Sequence, residues 1–73
     1  MSLIAIRSPM TAELEAAVRA QRAPLLTGAD IAILKAEDAG QDTAALRHYR
    51  QALRDITAQP GFPTAVTWPP VPA

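Results

Sequence analysis

The chain has 73 residues, no cysteine and a single histidine, which limits it to one domain and excludes disulfide staples, thiolate metal sites and histidine clusters. Seven basic residues offset seven acidic ones, which argues against a nucleic-acid binder, because such domains carry a clear basic excess. The apolar fraction of 49% leans on alanine, and alanine buries little area. A chain this short is marginal without staples, metals or oligomerisation, so part of the stability is expected from a second copy or a partner chain.

The chain opens with the apolar run Ser2–Ile6. It is too short for a secretory signal, and Arg7 comes after the apolar run rather than before it. No apolar stretch anywhere approaches the roughly 18 residues of a membrane span. The protein is therefore expected in the cytoplasm where it is made, or inside a particle that leaves it. The opening run itself reads as a loosely ordered or partner-bound extended segment, since termini are ordered only when tied down.

Ser8-Pro9 is a helix start, with Ser8 as N-cap and Pro9 at the first helical position. Met10, Leu14, Ala17, Val18 and Gln21 share one face, and Glu15 and Arg19 form a four-apart pair in the favourable order. Glu13 and Glu15 near the start and Arg19 and Arg22 near the end agree with the helix dipole. The first helix is predicted from Pro9 to about Arg22, ended by Pro24. Gly28 suggests a turn in the connection, with Thr27 or Asp30 capping the next helix. Ala29 to Ala39 then reads as a shorter second helix, against a competing strand suggested by alternating Ile31 and Ile33. Gly40 is a C-cap signal.

The clearest pattern comes next. Leu46, Tyr49, Leu53 and Ile56 recur at spacings of three and four, which predicts an amphipathic third helix over Leu46 to Ile56. Asp42 and Thr43 stand ready to cap it, and the helix should stop near Thr57, before Pro60. Arg47, Arg50 and Arg54 flank the apolar stripe, either as a docking surface for acidic groups or as a solvated face with local pairing. His48 falls on the far side and reads as a surface residue. After the Pro60-Gly61 turn signal come Phe62, Pro63, Val66, Trp68, Pro69, Pro70, Val71 and Pro72, which include the only Phe and the only Trp. Prolines fix φ and favour extended backbone without internal hydrogen bonds. Such an arm has no core of its own, so its aromatics either fold back over the helices or meet another chain.

The stretch from Tyr49 to Ile56 (YRQALRDI), then Gln59 to Pro63 (QPGFP), Val66 and Trp68-Pro69 resembles the C-terminal pattern of the small phage tail assembly chaperone proteins. Upstream, Arg22, Leu25, Leu26 and Asp30 fit the family pattern loosely. Ile31 and Leu46 stand where that pattern usually carries Trp. The resemblance covers the chain from about Arg22 onward. It implies a chaperone that binds a phage tail or tail-fibre protein, in the host cytoplasm during assembly. A minor structural subunit retained in the virion tail, and an unrelated helical regulatory module, are the alternatives.

The expected architecture is all-α: a small helical hairpin or three-helix unit, two helices long and one short, over residues 1–57, with an extended proline-rich arm over 58–73. Helices one and three are expected to pack antiparallel, or to pair with those of another copy. Tyr49, Arg50, Arg54, Phe62, Val66 and Trp68 are the candidate partner-binding residues. No catalytic, metal-binding or cofactor-binding residue emerges. Ser2 and Ser8 lie far in sequence from His48, the acidic residues Glu37, Asp38 and Asp42 lack the spacing of a calcium loop, and no glycine-rich phosphate cradle is present. The expected partners are a tail protein and further copies of the chain, not nucleic acid or membrane. Replacing His48 with Ala should leave melting temperature and phage yield nearly unchanged; lost yield from a stably folded variant would reopen an enzymatic or switching role.

Overall fold

The computed structural model describes residues 9–73, so the expectations for the apolar run Ser2–Ile6 and the Ser8 cap lie outside the described residues. Helix α1 runs Pro9–Asp38 and α2 runs Ala44–Arg54, continued by a 3₁₀ turn over Asp55–Ala58. Turns and irregular chain carry residues 59–73, and no strand occurs among the described residues. The all-α expectation holds. The three-helix unit does not: the first and second predicted helices are one 30-residue helix with Pro24 inside it.

The fusion has a physical reason. A proline inside a helix forfeits one backbone hydrogen bond and costs about 3 kcal/mol. Pro24 is exposed, so water can reach the carbonyl it leaves unpaired. Breaking the helix would cost more, because Val18, Leu25 and Leu26 on one side of the proline or beside it and Ala29, Ile33 and Ala36 beyond it all pack in the interior. Gly28 also sits inside α1, and a Cβ added there would meet nothing within 4 Å. It marks neither a turn nor a close approach. Thr27 spends its hydroxyl on the Ala23 carbonyl at 3.3 Å, an intrahelical bond rather than a cap.

The helix ends where the sequence says it should. Gly40 adopts φ 70°, Gly40 N–H donates to the Glu37 carbonyl at 3.0 Å and Gln41 N–H to the Ala36 carbonyl at 2.8 Å. This is the paired-bond stop that a left-handed residue permits and that favours glycine. Asp42 then accepts the Ala44 N–H at 2.9 Å. The Thr43 hydroxyl does not cap; it accepts from Arg47 Nε at 2.9 Å.

Three cross-links set the direction of α2. Arg47 pairs with Glu37, Arg50 Nη1 donates to Asp30 Oδ1 at 3.2 Å, and Arg22 Nη1 donates to the Arg54 carbonyl at 3.2 Å. As α2 advances, its partners retreat along α1, so the two helices form an antiparallel hairpin. The core lies between them: Leu53 and Ile56 are fully buried, with Tyr49 and Ala29 beside them. Burying a side chain the size of Leu or Ile contributes about 1.5–3 kcal/mol. Ala29 and Ala36 at the contact let the backbones approach closely.

The first turns of α1 depart from expectation. Met10 is 69% and Leu14 39% exposed, and Ala17 and Gln21 are exposed as well, leaving Val18 as the one member of that predicted face that packs on the core. An 11-residue α2 cannot reach the start of a 30-residue α1.

After the 3₁₀ turn the chain closes tightly at Gly61. Ala65 N–H donates to the Gly61 carbonyl at 2.7 Å, and a Cβ added at Gly61 would collide with the Ala65 carbonyl oxygen. Space, not a positive φ, requires glycine here. Gly61→Ala is therefore expected to destabilise by about 1–3 kcal/mol, whereas Gly28→Ala, free of any clash, should stabilise by about 0.5–1 kcal/mol. Urea denaturation of both variants checks the opposite signs.

Candidate functional site

Two openings flank the contact between α1 and α2. One is an apolar notch of about 260 Å³, lined by Pro24, Leu25, Gly28, Ala29 and Ala32 of α1, Leu46 and Tyr49 of α2, and Val71 near the C-terminus. The other is a groove of about 380 Å³ lined by Asp30, Ile33, Leu34, Glu37, Arg47 and Arg50. The ion pairs Arg47–Glu37 and Arg50–Asp30 span that groove. Its charges are thus already neutralised in pairs. The notch has no charged lining at all. An apolar concavity of this size fits one or two aliphatic or aromatic side chains better than a polar ligand.

Among the candidate partner-binding residues, Tyr49 is 7% exposed and belongs to the core, while its ring also forms one wall of the notch. Arg50 is half-buried and reaches across to Asp30, not along its own helix. Arg54 is exposed; its carbonyl is taken by Arg22, and its guanidinium makes no ion pair among the described residues. Phe62, Val66 and Trp68 pack against the Leu53 and Ile56 cluster, partly buried there. The Arg19 guanidinium stands over the Phe62 ring, 5.5 Å from its centroid, an attraction worth about 0.5–1 kcal/mol at an exposed site. Tyr49, Phe62, Val66 and Trp68 therefore gather on one core, while Arg50 and Arg54 lie outside it.

Sequence reasoning quoted Gln59 as part of the family motif but missed its role. Its Nε2 donates to the Thr67 carbonyl at 2.8 Å, and its Oε1 accepts the Thr67 N–H at 2.9 Å. One side-chain amide so replaces a neighbouring strand and fixes the backbone between Val66 and Trp68. Nothing periodic announces such a clamp. The notch was missed too, because Gly28 reads as a turn when α1 is taken as two helices. Among the described residues there is no group of three or more His, Cys, Asp or Glu placed to hold a metal, and no helix long and apolar enough to cross a membrane.

The clamp can be tested through the chain's only tryptophan. Gln59→Ala removes two hydrogen bonds that contribute about 0.5–1.5 kcal/mol each. Trp68 emission should shift to the red at temperatures where far-ultraviolet circular dichroism still shows intact helices. Unchanged emission would mean that Trp68 is held by packing alone.

No curated protein and no solved structure gives a significant match to the chain. A family model does: the one described as phage tail assembly chaperone protein matches residues 15–73. That span takes in the Arg19–Phe62 stack, both walls of the notch, the Gln59 clamp and the proline-rich end. The chain belongs to the phage tail assembly chaperone protein family.

Proposed function

We propose that this protein binds a phage tail or tail-fibre protein during assembly, shields apolar surface on it and prevents premature polymerisation. The family places the chain in tail assembly. The observation that carries the finer reading is the uncharged notch between α1 and α2, open to solvent and bordered by Val71. An apolar side chain of the client enters beside Tyr49. Val66 and Trp68, held in place by the Gln59 clamp, extend the contact along the C-terminal arm over residues 58–73. Prolines at 60, 63, 69, 70 and 72 limit the entropy the arm loses on binding, and aromatic anchors dominate such interfaces. Arg50 and Arg54 supply polar contacts at the rim.

In this reading the protein is a non-catalytic binder that works in the host cytoplasm and needs no cofactor. Its smallness makes association with further copies part of the same reading.

Gly28 offers a clean test. A Cβ there meets nothing within 4 Å, and Gly28 lines the notch, so a longer side chain has open space to enter. Gly28→Leu should therefore leave the melting temperature at or above that of the parent while filling the notch. Tagged parent chain captured from a phage-producing lysate should bring down a tail protein by mass spectrometry, and Gly28→Leu and Trp68→Ala should lose it at least about tenfold, the effect of 1.4 kcal/mol. Equal recovery by both variants would refute the notch and arm as the binding surface. Stoichiometric presence of the chain in purified particles would replace the chaperone by a structural subunit.

A further inference from the structure

One exposed face of α1 has its own order. Ala16, Ala20, Ala23, Thr27, Ile31 and Leu34 recur at spacings of four, three, four, four and three, and all six are exposed. Such spacing draws one seam along a helix. No charge interrupts the seam between Glu13 and Lys35 other than at flanking positions. Ile31 is 48% and Leu34 61% exposed, so its large members lie bare at one end and its alanines at the other.

We propose that this seam is the interface for a second copy of the chain, packed antiparallel, α1 against α1. The size gradient chooses the orientation. Turned end for end, a second α1 sets its Ile31 over Ala16 and its Thr27 over Ala20, so these larger side chains meet small ones, while Leu34 lies against the aliphatic stem of Glu13. A parallel copy would set alanine on alanine at one end and Ile31 and Leu34 on their own counterparts at the other, and the pair would splay. Charge agrees. The antiparallel register brings Glu13 of each copy beside Lys35 of the other, and neither makes an ion pair with another described residue in the single chain. The parallel register would set Glu13 against Glu13 and Asp38 against Asp38. Opposite charges at the rim fix register more than they add affinity. The seam leaves the notch residues Leu25, Ala29 and Tyr49 uncovered, so a dimer would present two client sites.

This inference takes up the self-association within the proposed function and does not depend on the client. The absence of native cysteine makes engineered thiols clean reporters. Sedimentation over a concentration series should show a monomer–dimer equilibrium, and Ile31→Asp, on an exposed position, should weaken it about tenfold or more with the melting curve of dilute protein unchanged. Ala20→Cys mixed with Thr27→Cys should form a disulfide-linked pair on mild oxidation. Ala20→Cys alone should not, because its counterpart would lie seven residues along the axis, roughly 10 Å away, beyond the ~7 Å reach of a disulfide. Self-linking by Ala20→Cys in place of the mixed pair would overturn the antiparallel arrangement. A dimer insensitive to Ile31→Asp would overturn this face while leaving self-association standing. A monomer at every concentration would overturn both.

Discussion

The fold depends on one apolar stripe finding one surface. Leu53 and Ile56 are the largest side chains fully withdrawn from solvent, and they come from the short second helix and the 3₁₀ turn that extends it. An 11-residue helix is not stable by itself in water. It persists because its stripe lies on the alanines and branched residues of α1, with Val18, Leu25, Leu26, Phe62, Val66 and Trp68 closing around the margin. Every other feature serves that contact: the stop at Gly40 that reverses the chain, the arginine cross-links that align the helices, and the clamp that returns the C-terminal arm. The arginine pairs lie at the surface, with only Arg50 half-buried, and such pairs contribute about 0–1 kcal/mol each, so they fix direction more than they stabilise.

That dependence explains which parts were legible in the sequence. Tyr49, Leu53 and Ile56 are large and regularly spaced, so the pattern of α2 and its buried side could be read directly. Gly40 and Asp42 act locally, through φ and a short hydrogen bond, and local rules found them. Pro24 and Gly28 misled for the opposite reason. Both carry local helix penalties, and both are overruled by packing of residues on either side of them against a helix some twenty residues later. Tertiary override of this kind leaves no local trace. The exposed Met10 and Leu14 show the same limit, because whether a helix face is buried depends on the length of its partner.

The candidate site divides along the same line. Phe62 and Trp68 were conspicuous as the only Phe and Trp in the chain, and they do sit together on the core. The notch beside Tyr49 depends on absence of bulk at Gly28, Ala29 and Ala32, and small residues announce a cavity only once their neighbours are known. Gln59 does its work through an amide reaching eight residues along the chain, a contact with no periodicity to detect.

The shortage of large residues links these observations. Among the described residues, Tyr49, Leu53, Ile56 and both arm aromatics go to a single core, and the notch stays open while Ile31 and Leu34 stay exposed. The two bare regions differ in kind. The notch is concave and walled by α1, α2 and Val71, a shape suited to receiving a side chain from outside. The seam on α1 is a convex helix face, which only another elongated surface can cover. The proposed client site and the proposed dimer face therefore make different demands on a partner, and the small core is what leaves both of them bare.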